Sequence, residues 1–209
     1  MLIITIKQGK EKSILAGDPW IYPSAIEKVD GKERNKAGVT ALIQSSSRQF
    51  LARAAYNGKS QIAARVWTLR EDEPVDHALV KRRVQAAIES RAKALQGANA
   101  QALTQLVDGE KDGLPGLLVH SYGGPDGYLI CQFNAAGVDL WKVSIVQALI
   151  KATGCPNVFE RCDRPLRQGE GLGVVARSLA GEEPPPRVEV REGGKLLPMD
   201  IRTGFTYPR

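Results

Sequence analysis

Short apolar runs separated by turns dominate the first third of the chain; helical spacing of apolar residues appears only after it. Residues 2–6, Leu-Ile-Ile-Thr-Ile, are β-rich, and Val39-Thr40-Ala41-Leu42-Ile43 behind Gly38 reads as a further strand. Residues 50–56 and 62–69 complete the set, with turn signals at Asp30-Gly31-Lys32 and Asn57-Gly58. Short strands at this spacing, without long helices, predict a small β-barrel over residues 1–70. The pattern then changes. In Glu71-Asp72-Glu73-Pro74, acidic residues followed by proline read as a helix start. Val80, Val84, Ile88, Ala92 and Leu95 share one face, which predicts a helix to about Gln96, stopped by Gly97. The same count leaves Arg82, Arg83, Arg91 and Lys93 exposed.

Residues 106–122 organise the rest of the chain. Asp112-Gly113 and Pro115-Gly116 are turn dipeptides, and Leu114 between them has the place of a core plug. Leu117, Leu118 and Val119 predict a buried strand, paired with residues 128–133 across the turn at 123–127. On spacing alone this is a tight loop pinned to a sheet. A second helix is expected near 139–153, burying Trp141, Ile145, Ala148 and Leu149 and ending at Gly154. Residues 157–160 read as a strand, 182–186 as a rigid linker, and 188–190 with 196–197 as a hairpin around Gly193-Gly194. The predicted class is α+β: a small barrel over 1–70, an α/β domain over 74–186, and the hairpin segment over 187–209.

Composition narrows the function classes. With 209 residues, 43% of them hydrophobic and 25% charged, the chain is ordinary globular protein able to bury a core. No apolar run approaches the roughly 20 residues of a bilayer span, and the first residues are too short for a signal peptide. Three cysteines, Cys131, Cys155 and Cys162, with no Cys-x-x-Cys pair, argue for a reducing cytoplasm, no disulfide framework and no metal site. The net charge of +6 is lopsided: residues 1–70 carry twelve Lys/Arg against five Asp/Glu, a net +7, and the remainder carries a net −1. Basic excess confined to one segment favours a polyanion, and without a basic amphipathic helix the expected partner is nucleic acid rather than membrane.

Several motifs in order then suggest a family. Gly109-Glu110-Lys111-Asp112-Gly113-Leu114-Pro115-Gly116-Leu117, preceded by Lys10-Glu11-Lys12-Ser13 with Pro19-Trp20 and by Ser60-Gln61-Ile62 with Arg65-Val66-Trp67, is followed by Glu160-Arg161-Cys162-Asp163, Arg167 and Glu170-Gly171-Leu172. Together they resemble the S-adenosylmethionine-dependent cytosine-5 methyltransferases of large-subunit ribosomal RNA that carry an N-terminal PUA domain. The resemblance implies that 1–70 is a PUA-like RNA-binding barrel. It also implies that nucleophile and cofactor pocket belong to a C-terminal Rossmann-like domain, expected to begin where residues 200–205 end and so to be missing from this chain. Gln105, His120 and Ala63 depart from the family pattern.

Lys10, Lys12, Trp20, Arg53 and Arg65 are the RNA-binding candidates, because phosphate contacts and aromatic stacking recognise RNA. Trp20 also suits turn packing, and Arg65 suits an ion pair equally well. Glu110, Asp112, Arg161, Asp163, Arg167 and Glu170 are the signature residues: they either pair with one another or line a face towards the catalytic domain and its target base. No catalytic, cofactor-binding or metal-binding residue is assigned. Gly169-Glu170-Gly171-Leu172-Gly173 has the form of a cofactor loop, but residues 164–168 cannot be the strand such a loop must follow. His77 has no sequence partner and reads as structural. The expectation is an RNA-binding front half of a ribosomal RNA methyltransferase-like protein, acting in rRNA processing in the cytoplasm. It would bind structured ribosomal RNA, hold no S-adenosylmethionine itself and have no methyl transfer activity alone, with a homodimer as a possible assembly. Two alternatives stay open: a complete methyltransferase using Cys162, or a module docking a catalytic subunit through residues 160–172.

Overall fold

The computed structural model describes residues 1–97 and 100–208. Six strands of the N-terminal third form one mixed sheet: β1 (Leu2–Ile6), β2 (Trp20–Ile21), β3 (Ile26–Asp30), β4 (Val39–Gln44), β5 (Phe50–Tyr56) and β6 (Ala64–Thr68), in the order β2-β6-β5-β4-β1-β3. β1 runs parallel to β4 and the other pairs are antiparallel. Alternation in β1 sends Leu2, Ile4 and Ile6 inward, where they meet Ile21, Ala41, Ile43, Leu51 and Ala54 in a closed apolar cluster. β2, β3 and the one-turn helix α1 (Glu11–Leu15) were not visible in the apolar pattern. β2 is two residues long, and α1 buries only Ile14.

The next layers begin with α2 (His77–Ser90) and α3 (Ala92–Gly97). The helix starts at Asp76, whose carboxylate accepts from Leu79 N at 2.9 Å, rather than at Pro74, because a cap needs a side-chain acceptor for the free amides. It breaks at Arg91, where Ser90 Oγ turns back to Ala87 O and Arg91 reaches across to Asp112. Residues 98 and 99, just past the expected helix stop at Gly97, lie outside the described residues. Strands β7 (Thr104–Asp108), β8 (Leu117–Tyr122), β9 (Tyr128–Phe133), β10 (Val158–Glu160) and β11 (Arg177–Ala180) line up as β11-β10-β9-β8-β7, antiparallel except for β9 beside β10. The expected second helix is two pieces, α4 (Ala136–Leu140) and α5 (Lys142–Thr153), hinged at Trp141.

Period-two alternation divides this sheet between two cores. Leu129, Cys131, Phe133 and Val158 face α2 and α5; Ile130 and Phe159 face the small sheet of β12 (Val188–Glu192), β13 (Lys195–Asp200) and β14 (Phe205–Thr206). The hairpin expected around Gly193-Gly194 is therefore a lid on the sheet's second face. The helix-side core also takes in Ala55 and Trp67 of β5 and β6, so the first sheet and the second share apolar packing. Two glycines make that approach close. At Gly38, φ is +87° and a Cβ would overlap the Ala136 carbonyl; at Gly137 it would lie 2.6 Å from Ala55 Cβ. Gly137→Val is expected to lower stability by about 2 kcal/mol through overpacking, read as a lower urea midpoint at unchanged m-value.

Candidate functional site at the junction of the two sheets

β2, at the sheet's edge, pairs with β6 so that Trp20 lies opposite Arg65, next to the second lobe. Two carboxylates meet them. Glu110 comes from the 3₁₀ turn Gly109–Asp112 that follows β7, and Glu170 from the C-terminal cap of α6 (Arg164–Gly169). Arg65 Nη1 reaches Glu110 Oε1 at 3.2 Å, and Nη2 reaches Glu170 Oε1 at 2.8 Å. Trp20 Nε1 donates to Glu110 Oε1 at 2.8 Å, and the Arg65 guanidinium sits 5.7 Å from the indole centroid. Glu170 gains two further donors: Ser60 Oγ at 2.7 Å and Asn57 Nδ2 at 3.1 Å, the latter also bonding the Glu170 backbone carbonyl. With side-chain exposures of 14% for Arg65 and 6% for Glu170, this is an ion pair withdrawn from water, and its extra hydrogen bonds satisfy the oxygens that burial would otherwise strand.

Five of the six signature residues, all but Arg161, are held by side-chain hydrogen bonds or ion pairs. Asp112 takes a bidentate grip from Arg91 at 2.9 and 3.0 Å and accepts the Asp108 amide. Asp163 caps α6 by accepting from Leu166 N. Arg167 is buried, donating to the carbonyls of Phe133 and Gly173 and to Asp139 Oδ1. Burial alone would raise the Asp139 pKa, but Arg167 and Lys142 outweigh it and hold the carboxyl below its ordinary range. Fully buried Glu160 takes Lys142 at 2.7 Å. These charges mostly find partners outside the motif. Arg83, expected on the solvent side, instead donates to the carbonyls of Trp67 and Gly113 and to Glu73, and Arg91 is likewise drawn in.

Among the RNA-binding candidates, Lys10 and Lys12 stand exposed at the start of α1. Arg53 lies over Phe50 and donates to Glu71 O. Trp20 is 38% exposed and borders a groove of about 250 Å³ with Arg65, Glu110, Asn134 and Leu166. His77 packs edge-on to Trp141 and bonds Ser144 Oγ, a structural placement. Sequence reasoning missed Asn57 as a binder of Glu170; Asn57-Gly58 gave only a turn signal. Cys131 is fully buried, and burial pushes its thiol far above the usual range; burial raises Cys155 also. Cys162 is half-buried between β10 and α6.

The chain from residue 4 to residue 69 matches the PUA-like domain family. Residues 4–69 are a PUA-like domain. Over 97% of its length the chain is 38% identical to a ribosomal RNA large subunit methyltransferase I of Aeromonas salmonicida, and 35% identical to one of Aliivibrio fischeri. It spans about half the length of these curated relatives, 50% of each. The fold matches that of a candidate SAM-dependent methyltransferase from Streptococcus mutans at a TM-score of 0.78 and 14% identity, covering 99% of this chain and 50% of that one.

The residues present do not fit that cofactor at the glycine run. Gly169 closes a helix instead of following a strand, so the run lacks the strand end from which a cofactor loop must spring.

Two outcomes are expected here. Glu170→Ala should cost about 3 kcal/mol by leaving Arg65 buried without its nearest carboxylate, and a double-mutant cycle with Arg65→Ala should return a coupling of about 1–3 kcal/mol. A coupling near zero would mean that the pair adds nothing. His120 of β8 is also informative: burial and the neighbouring Arg161 lower its pKa from the ordinary 6.5, against a smaller opposing pull from Asp108. The folded chain therefore binds this proton less readily than the unfolded chain. Its contribution is complete above about pH 6.5 and is lost as pH falls through the lowered folded value. Between about pH 7 and pH 5, the melting temperature of His120→Gln should fall less than that of the parent.

Proposed function

We propose that this chain is the RNA-recognising portion of a SAM-dependent methyltransferase of large-subunit ribosomal RNA, of the cytosine-5 type. The observation that carries this reading is the coincidence of a PUA-like domain at residues 4–69 with a net +7 confined to residues 1–70. Relatives named as large subunit methyltransferases support ribosomal RNA as the partner. Lys10 and Lys12 meet phosphates, and the exposed part of Trp20 offers a surface for a base beside the junction groove. Arg65 acts from behind, fixing Trp20 and Glu110 rather than contacting RNA by itself.

Methyl transfer is not carried by these residues alone. Gly169 closes a helix instead of following a strand, Cys131 and Cys155 are buried, and among the described residues no hydrogen bond joins Cys162 to a base. The role of the second lobe is to hold the PUA-like domain at a set angle through the Arg65 network.

Fluorescence anisotropy with a labelled large-subunit ribosomal RNA fragment tests the reading. Affinity should fall steeply as salt rises, and Lys10→Glu/Lys12→Glu should weaken binding and flatten the salt slope by about 2. A flat salt dependence overturns RNA recognition. Micromolar S-adenosylmethionine binding by this chain, measured by calorimetry, overturns the assignment of methyl transfer to other residues.

A further inference from the structure

The cations of the PUA-like domain fall into two groups. Arg65 is spent on carboxylates at the junction. Arg34, Lys36 and Lys59 have no ion-pair partner among the described residues, and Arg34 and Lys59 line a cleft of about 500 Å³ with Asn35, Tyr56 and Asn57. Among the described residues no carboxylate lines it. Glu170, which Asn57 of the cleft wall bonds, is buried and also held by Arg65 and Ser60.

The cleft's walls are fixed by the fold. Gly38 N donates to Tyr56 O at 2.7 Å, closing the base of the loop that carries Arg34 and Asn35, and Gly38 itself is pressed on Ala136. Asn57 is 3% exposed: its Nδ2 bonds Glu170 while its Oδ1 accepts the Lys59 amide at 3.1 Å, which shapes the 57–60 turn. The Lys59 stem then runs along Gly171, so the ammonium is projected from a supported stem. An Arg fork, a Lys point charge and neutral donors from Asn35 and Tyr56 are the complement of a phosphodiester, which presents charge and several acceptors at once. The volume lies within the roughly 300–1,000 Å³ of ligand clefts.

We propose that this cleft, between the 31–38 loop and the Tyr56–Lys59 turn, seats a phosphodiester of the bound RNA, with Arg34 and Lys59 as its cationic contacts. The proposal rests on the RNA-binding reading above and adds a site to it. Register places the cleft at the Val39–Tyr56 end of the sheet, whereas β1 leads into Lys7, Lys10 and Lys12 from the opposite, Gln44–Phe50 end, so the cleft is a contact separate from those lysines.

The test uses the full 209-residue chain. Arg34→Glu/Lys59→Glu and the milder Arg34→Gln/Lys59→Gln are compared with Lys81→Glu/Lys151→Glu, a control on the exposed sides of α2 and α5. The probe is a fluorescein-labelled large-subunit ribosomal RNA fragment, titrated at several salt concentrations beside heparin. The cleft variants should bind the RNA about tenfold more weakly with a salt slope shallower by about 2, and the control should bind like the parent. Parent-like RNA binding by both cleft variants, each folded by circular dichroism, overturns the site while leaving RNA recognition standing. Equal loss in the control, or loss of heparin binding alone, overturns it as well. Failure of the parent to bind RNA overturns both readings together.

Discussion

The position of one lobe against the other depends on Arg65. Its guanidinium has left water for a gap between two carboxylates that are 60 residues apart in the chain, and a charge so placed is tolerable only if both arrive. The requirement passes outward. Glu110 must be presented by the turn after β7, Glu170 by the end of α6, and Asn57 and Ser60 must close on Glu170 from the PUA-like side. Apolar contact of Ala55 and Trp67 with the second core supplies non-directional attraction across the same junction. The ion pair selects one register among the many that apolar packing alone would accept.

Cationic groups are therefore sorted by pairing. Arg65, Arg83, Arg91 and Arg167 are drawn inward against carboxylates and carbonyls, and they hold turns and helix ends in place. Lys10, Lys12, Arg34, Lys36 and Lys59 have no ion-pair partner among the described residues and stand at the surface of the PUA-like domain. A polyanion attracts only the second group to any extent, since the first is already neutralised where it stands. Within the net charge of the domain, the unpaired cations are the part that a polyanion would meet.

Much of the architecture was legible in the sequence because it follows local rules. The strands at 2–6, 50–56 and 128–133, the turn at 123–127 and the hairpin at Gly193-Gly194 come from period-two patterns and turn chemistry. α2 starts three residues later than its proline suggested, since the carboxylate of Asp76 decides the cap, and the 139–153 helix splits at Trp141. β2 and α1 left too little apolar pattern to read. In the site, the opposite charges of Glu110 and Arg65 were visible but their meeting was not: contacts across 45 and 105 residues carry no local signature. Arg83 and Arg91 were misplaced for the same reason, as helical periodicity does not reveal a long side chain folding back onto a neighbouring turn.

The glycine contact at the junction has a geometric consequence. At Gly38 main chain rests on the main chain of Ala136, and at Gly137 it rests on the short methyl of Ala55, with no long side chain between to act as a cushion. Long, soft side chains let two bodies rock; backbone against backbone or a lone methyl does not. The PUA-like domain is in effect keyed to its companion, as a gauge block is to its frame. A strand of nucleic acid lying on it would meet the second lobe at a preset distance and angle, measured out by the protein before anything binds.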